Sequence, residues 1–148
     1  MRSLKSKIVI IISVSLIVLF GIWNVVWYVV TNNRYHDFLT VVPKSQFGNH
    51  ILKKDGYVYN VKPPGYLSFT GNLGVHHSET GNALIIWPLI EGGYEYGVRI
   101  VKGTTVYELT LDEHMNPVGN QRIIKDMDDI QPVITELITR ASSVWDLQ

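Results

Sequence analysis

The side chains best suited to metal or proton chemistry are five histidines, His36, His50, His76, His77 and His114. Their spacing argues against both uses. His76 and His77 are adjacent, so in an extended segment they point to opposite faces and cannot share an ion. No pair has the ligand spacing of a zinc site, and there is no cysteine to complete one. Asp126, Asp128 and Asp129 lack the alternating oxygen ligands, central glycine and closing glutamate of a calcium loop. They stand at the start of a helical pattern and read as its caps. Ser68, in Leu67-Ser68-Phe69-Thr70-Gly71, has no glycine-flanked elbow and no companion base. Glu91, Glu95 and Glu108 fall at strand or turn positions and give no pair placed for glycoside cleavage. Gly71-Asn72-Leu73-Gly74 precedes no helix, so it is no phosphate cradle. The residues therefore lead us to expect no catalytic group, no metal and no cofactor.

Binding chemistry is better represented. Tyr57, Tyr59 and Tyr66 surround the turn Pro63-Pro64-Gly65, in which Gly65 is expected to take the positive φ of a type II turn. Tyrosine combines rigid contact area with a polar tip, which suits a partner-binding surface. The competing reading puts Tyr57, Tyr59 and Val61 on the inner face of one strand. Arg99 and Glu108 form the second candidate, as diagonal neighbours on the outer face of a hairpin.

These residues must be positioned by a run of strands. Tyr57 to Lys62 alternates, Tyr66 to Thr70 reads as a second strand, and Leu73 to His77 continues it. Ala83 to Ile90 is nearly all apolar, the pattern of a strand covered on both faces, with Pro88 marking an edge or bulge. Tyr94 to Val101 and Thr104 to Leu111 make the clearest hairpin, closed by Lys102-Gly103. A two-residue loop there sets Tyr94, Tyr96, Val98 and Ile100 opposite Leu111, Leu109, Tyr107 and Thr105. Asp112 to Asn120 reads as a polar turn region, and Gln121 to Lys125 as a last short strand. Ile130, Val133, Ile134, Leu137, Ile138, Ala141, Val144 and Trp145 then recur at helical spacing, with Pro132 expected in the first turn.

Ahead of all this stands the longest signal in the chain. Ile8 to Val30 is an apolar run without a charge. As a helix it is about 34 Å long, against a hydrocarbon core of about 30 Å. Ser13 and Ser15 can return their hydroxyls to the helix backbone. Asn24 lies beside Trp23, Trp27 and Tyr28, which resemble an interfacial belt. The bulky residues at the end of the run argue for an uncleaved signal anchor rather than a cleaved leader. Arg2, Lys5 and Lys7 precede it, so the positive-inside rule keeps the N-terminus cytoplasmic and exports the rest. Asn33 to Val42 is helical in spacing and is expected to continue the membrane helix and dock onto the domain.

The expected fold class is thus α+β. A tail at 1–7 and a single N-terminal transmembrane helix at 8–30 precede an extracytoplasmic domain at 31–148. That domain is a small antiparallel sheet of about five strands packed against a C-terminal amphipathic helix. It carries ten Lys or Arg against thirteen Asp or Glu, with no basic patch, which argues against nucleic-acid binding. The expected partners are the lipid bilayer and a protein. The expected role is a membrane-anchored binding module of the bacterial envelope, such as a toxin-neutralising immunity protein or an accessory subunit of a membrane complex. The alternatives are an envelope enzyme of unrecognised type, or a subunit that assembles through its membrane helix by Asn24, Ser13 and Ser15.

Overall fold

The computed structural model describes residues 4–112, 114–118 and 127–147. It opens with one unbroken helix, α1, Leu4–Val41. At 38 residues it is about 57 Å long. From Ile8 to Ile22 it is exposed on every side and carries no charge. Its last part has a single buried stripe, in which Tyr35, Phe38 and the following Val42 enter the core of the domain. Pro43 ends the helix, because its ring cannot continue the backbone ladder.

Seven strands follow in a plain antiparallel meander, each paired with its neighbours in sequence. They are β1 His50–Lys54, β2 Tyr57–Lys62, β3 Asn72–His77, β4 Ala83–Pro88, β5 Tyr94–Lys102, β6 Thr105–Leu111 and β7 Pro117–Val118. The final element is α2, Met127–Ser142. The α+β layering matches the sequence reading, with seven strands rather than about five.

The two extra strands have identifiable causes. β1 lacks alternation, since Ile51 and Leu52 are adjacent. Its signal is the turn after it, Asp55-Gly56, with φ of 51° and 80°. Two consecutive positive φ values are what a two-residue type I′ hairpin loop demands. β7 lies in the polar region expected to be only a turn, and pairs Pro117 with Leu111. The strand expected at 121–125 and the cap residue Asp126 fall outside the described residues.

Other expectations are corrected. Tyr66 to Thr70 is a loop, not a strand, joining β2 to β3. The turn within it is two residues later than expected. Ser68 N–H donates to Gly65 O at 2.9 Å, and Leu67, not Gly65, takes the positive φ, at 58°. The β5–β6 register is shifted by two residues. Tyr96, Val98 and Ile100 face Leu111, Leu109 and Tyr107, around the loop Gly103-Thr104. A shift of two leaves every side chain on its expected face but sets Arg99 directly opposite Glu108. β4 is an interior strand buried on one face, and Pro88 stands at its end, where no ladder donor is needed. Pro132 lies inside α2, beyond the first turn.

The core lies on one face of the sheet. Leu73, Val75, Leu84, Ile86, Val98 and Leu109 meet Ile130, Ile134, Leu137 and Ala141 of α2, and all ten are buried. Trp145 closes the layer, its ring edge-on to Tyr59 at 5.8 Å.

Candidate functional site

The five residues singled out for binding fall in three separate places. Tyr57 and Tyr59 are on the covered face, 4% and 1% exposed. Tyr57 packs under the Arg140 guanidinium at 4.8 Å. Burial first, and then the Glu136 carboxylate, push its phenol above the ordinary tyrosine range. These two tyrosines are core residues, as the inner-face reading of that strand requires. Arg99 and Glu108 are on the opposite, open face. Arg99 Nε and Nη2 both donate to Glu108 Oε1, at 3.0 and 2.5 Å, with both side chains largely in solvent. Tyr66 belongs to neither face. It sits in the β2–β3 loop, against α1.

The open face is built from the alternate residues of all seven strands. Across its middle the register lines up Asn60, Gly74, Ile85, Gly97 and Thr110. Two glycines there let larger neighbours lie flat on the sheet. A Cβ on Gly74 would stand 2.6 Å from Asn60 Oδ1, and one on Gly97 would stand 3.0 Å from the Trp87 ring. Trp87 and Ile85 are therefore half-buried without any covering element, which is why this strand looked apolar on both sides. Around Gly74, an open hollow of about 370 Å³ is lined by Asn60, Asn72, His76, Ala83 and Arg99. No element of the described residues lies over it.

Two of the histidines serve local structure. His77 Nδ1 accepts from the backbone N–H groups of Glu79 and Thr80, at 3.2 and 3.3 Å, which fixes the β3–β4 turn. His50 Nδ1 lies 2.9 Å from Val42 O and ties the start of β1 to the end of α1. Among the described residues no three His, Asp or Glu side chains gather as metal ligands would.

The feature not foreseen from the sequence is a seam between α1 and the ends of the strands. Trp23, Trp27, Thr31, Arg34, Phe38 and Val42 recur every three or four residues and so share one side of the helix. Arg34 donates to Phe69 O at 2.7 Å and to Pro88 O at 3.2 Å. Trp27 Nε1 donates to Ser68 O at 2.7 Å. Trp23 meets Phe69 edge-on at 5.5 Å, and Trp27 meets Tyr66 at 5.3 Å. Tyr66 O–H donates to Asn24 Oδ1 at 2.6 Å, while Asn24 Nδ2 donates to Phe20 O at 2.7 Å. The one amide side chain in the apolar run is thus satisfied within the chain, with no need of a second helix. The sequence signal for this seam was the matched pair of aromatic clusters, Trp23 with Trp27 and Tyr66 with Phe69, read separately as belt and strand.

Comparison with protein-family models, with curated proteins and with solved structures finds no match. The functional reading therefore stands on the geometry alone.

Proposed function

We propose that the protein is a membrane-anchored interaction module that holds an exported domain at the bilayer surface and offers the open sheet face to a protein partner. The N-terminal helix is long and apolar enough to span a membrane. Lys7, and Arg2 and Lys5 before it, favour a cytoplasmic N-terminus, with the domain outside. The observation that carries the binding role is the unequal treatment of the two sheet faces. One is sealed by α2, while the other, seven strands wide, leaves Ile85, Trp87 and the exposed Val106 and Val118 uncovered among Arg99, Glu95 and Glu108. Apolar groups rimmed by charges are the composition of a recognition surface. Tethering keeps such a surface near membrane-bound partners and raises its effective concentration there.

The test is photocrosslinking of the full-length protein in its native membranes. A photoreactive residue replaces Val106 or Arg99 on the open face, or Glu136 or Thr139 on the outer side of α2. A single protein adduct from the first pair, absent from the second, supports the reading. Equal adducts from both pairs, or none from the open face, overturn it. An envelope-immunity role and an accessory-subunit role are separated by the identity of that adduct.

A further inference from the structure

We infer that the β2–β3 loop, residues 63–70, is a second membrane contact: its tip lies in the headgroup and carbonyl layer of the outer leaflet, beside the emerging helix. This rests on the reading of α1 as a membrane anchor.

Depth follows from the helix. A 30 Å hydrocarbon core takes about twenty helical residues. Counted from Ile8, it ends near Trp27. The loop touches α1 at Trp23, Asn24 and Trp27, which lie inside the apolar run and about 10–16 Å along the axis before Arg34, the first charge after it. The loop reaches back along the helix into the stretch where the helix itself is at the membrane boundary. Its side chains suit that layer. Tyr66 and Phe69 are aromatic, and Tyr66 remains 65% exposed beyond its bond to Asn24.

Two further observations agree. The backbone at the tip is strained in a telling way. Leu67 holds φ at 58°, a conformation that costs a leucine about 1–2 kcal/mol and a glycine nothing. A large apolar residue stands where a small one would be easier. At the loop's neck the backbone is locked, since a Cβ on Gly71 would lie 2.4 Å from Lys62 O. Moreover, exposure is uneven between the two ends of the sheet. Beyond α1, the described residues include five exposed large apolar side chains, Phe47, Tyr66, Ile90, Val106 and Val118. Four of them sit in the connections or strand ends on the α1 side: before β1, between β2 and β3, between β4 and β5, and at β7. Only Val106 lies toward the far end. There the turns are Asp55-Gly56, the stretch from Ser78 to Asn82, and Gly103-Thr104. Of the five, Tyr66 and Ile90 lie in the connections that meet α1 at Trp27 and Arg34, where an interfacially seated domain carries its apolar tips.

The chain has no cysteine, so single cysteines report cleanly. Gly65 has open space around its Cβ position and an ordinary φ, which makes Gly65→Cys a mild probe of the loop. The full-length protein carrying an environment-sensitive fluorophore at Gly65→Cys, Val14→Cys or Thr104→Cys is placed in phosphatidylcholine and phosphatidylglycerol vesicles. The lipids bear nitroxide quenchers at the headgroup or deep in the acyl chain. The expected result is deep-chain quenching at position 14, headgroup-level quenching with a blue shift at position 65, and none at position 104. Addition of Leu67→Asp, which the left-handed backbone accepts more readily than leucine, brings the signal at position 65 toward that at position 104. Quenching at position 14 with none at position 65 overturns the loop contact and leaves the anchor standing. No quenching at position 14 overturns the anchor and the loop contact together.

Discussion

Asn24 shows what a sequence read alone leaves out at a single residue. In an apolar run an amide signals either a headgroup position or a partner helix, and here its partner is Tyr66 of the same chain. Tyr66→Phe removes that donor and leaves the Asn24 oxygen unmatched. The expected loss is about 0.5–1.5 kcal/mol, read as a lower thermal midpoint of the full-length protein in micelles. Arg99→Ala tests the opposite kind of contact. Both partners of its ion pair are exposed, so the change should shift stability by only about 0–1 kcal/mol. A larger loss in chemical denaturation would mean that the open face is covered. Asp112 supplies the pH dependence. Its carboxylate accepts from the backbone N–H groups of Asn116 and His114, and the Asn116 bond is the main cause of its pKa falling below the usual carboxylate range. A lowered folded-state pKa stabilises the turn above the ordinary carboxylate range, and that stability is lost as pH falls through the lowered value. The Asn116 amide should therefore lose protection from hydrogen exchange in that acid window and hold it above.

At the level of elements, α2 was legible because its apolar residues repeat at helical spacing and all face one layer. Leu137 is 1% exposed under the sheet. Leu137→Asp buries an unpaired charge, a loss of several kcal/mol against a domain stability of about 5–15 kcal/mol. Near-UV circular dichroism of the full-length protein should collapse with it, and a native spectrum would place α2 elsewhere. The β5–β6 hairpin was legible in its faces but not in its register. Faces depend on a period of two, whereas register depends on which residues form the loop, and Gly103 serves equally well at either loop position. Strand β1 was hidden because His-Ile-Leu-Lys-Lys has no alternation, though Asp55-Gly56 announces a hairpin on its own. The loop at 66–70 was misread for a different reason. Tyr66 and Phe69 are aromatic because they face α1, and a strand pattern cannot tell a sheet neighbour from a distant helix. The same limit hid the candidate seam, whose two halves are some forty residues apart in sequence.

For the whole molecule the governing fact is that the apolar run and the domain share one helix. Tyr35, Phe38 and Val42 are core residues, and no linker intervenes. Inserting two alanines between Asn32 and Asn33 turns the lower helix by about 200° relative to the domain. Core residues stay in place, while Trp23 and Trp27 swing away from Phe69 and Tyr66. Protease cleavage within 63–70 should then become rapid in micelles, with the rest of the domain still resistant; an unchanged pattern would show that the loop holds without the helix. Under the proposed anchoring, such a joint would also make the domain an instrument of the bilayer. A helix longer than the hydrocarbon is thick accommodates by leaning, and tilts of about 20° are ordinary. With nothing to absorb the angle, the lean passes undiminished into the sheet. Over a nine-residue strand such as β5, about 30 Å long, it carries one end about 10 Å sideways relative to the other. With α1 spanning the bilayer as proposed, membrane thickness would set the direction in which the open face points, and a thicker or thinner patch of lipid would re-aim it without any change in fold.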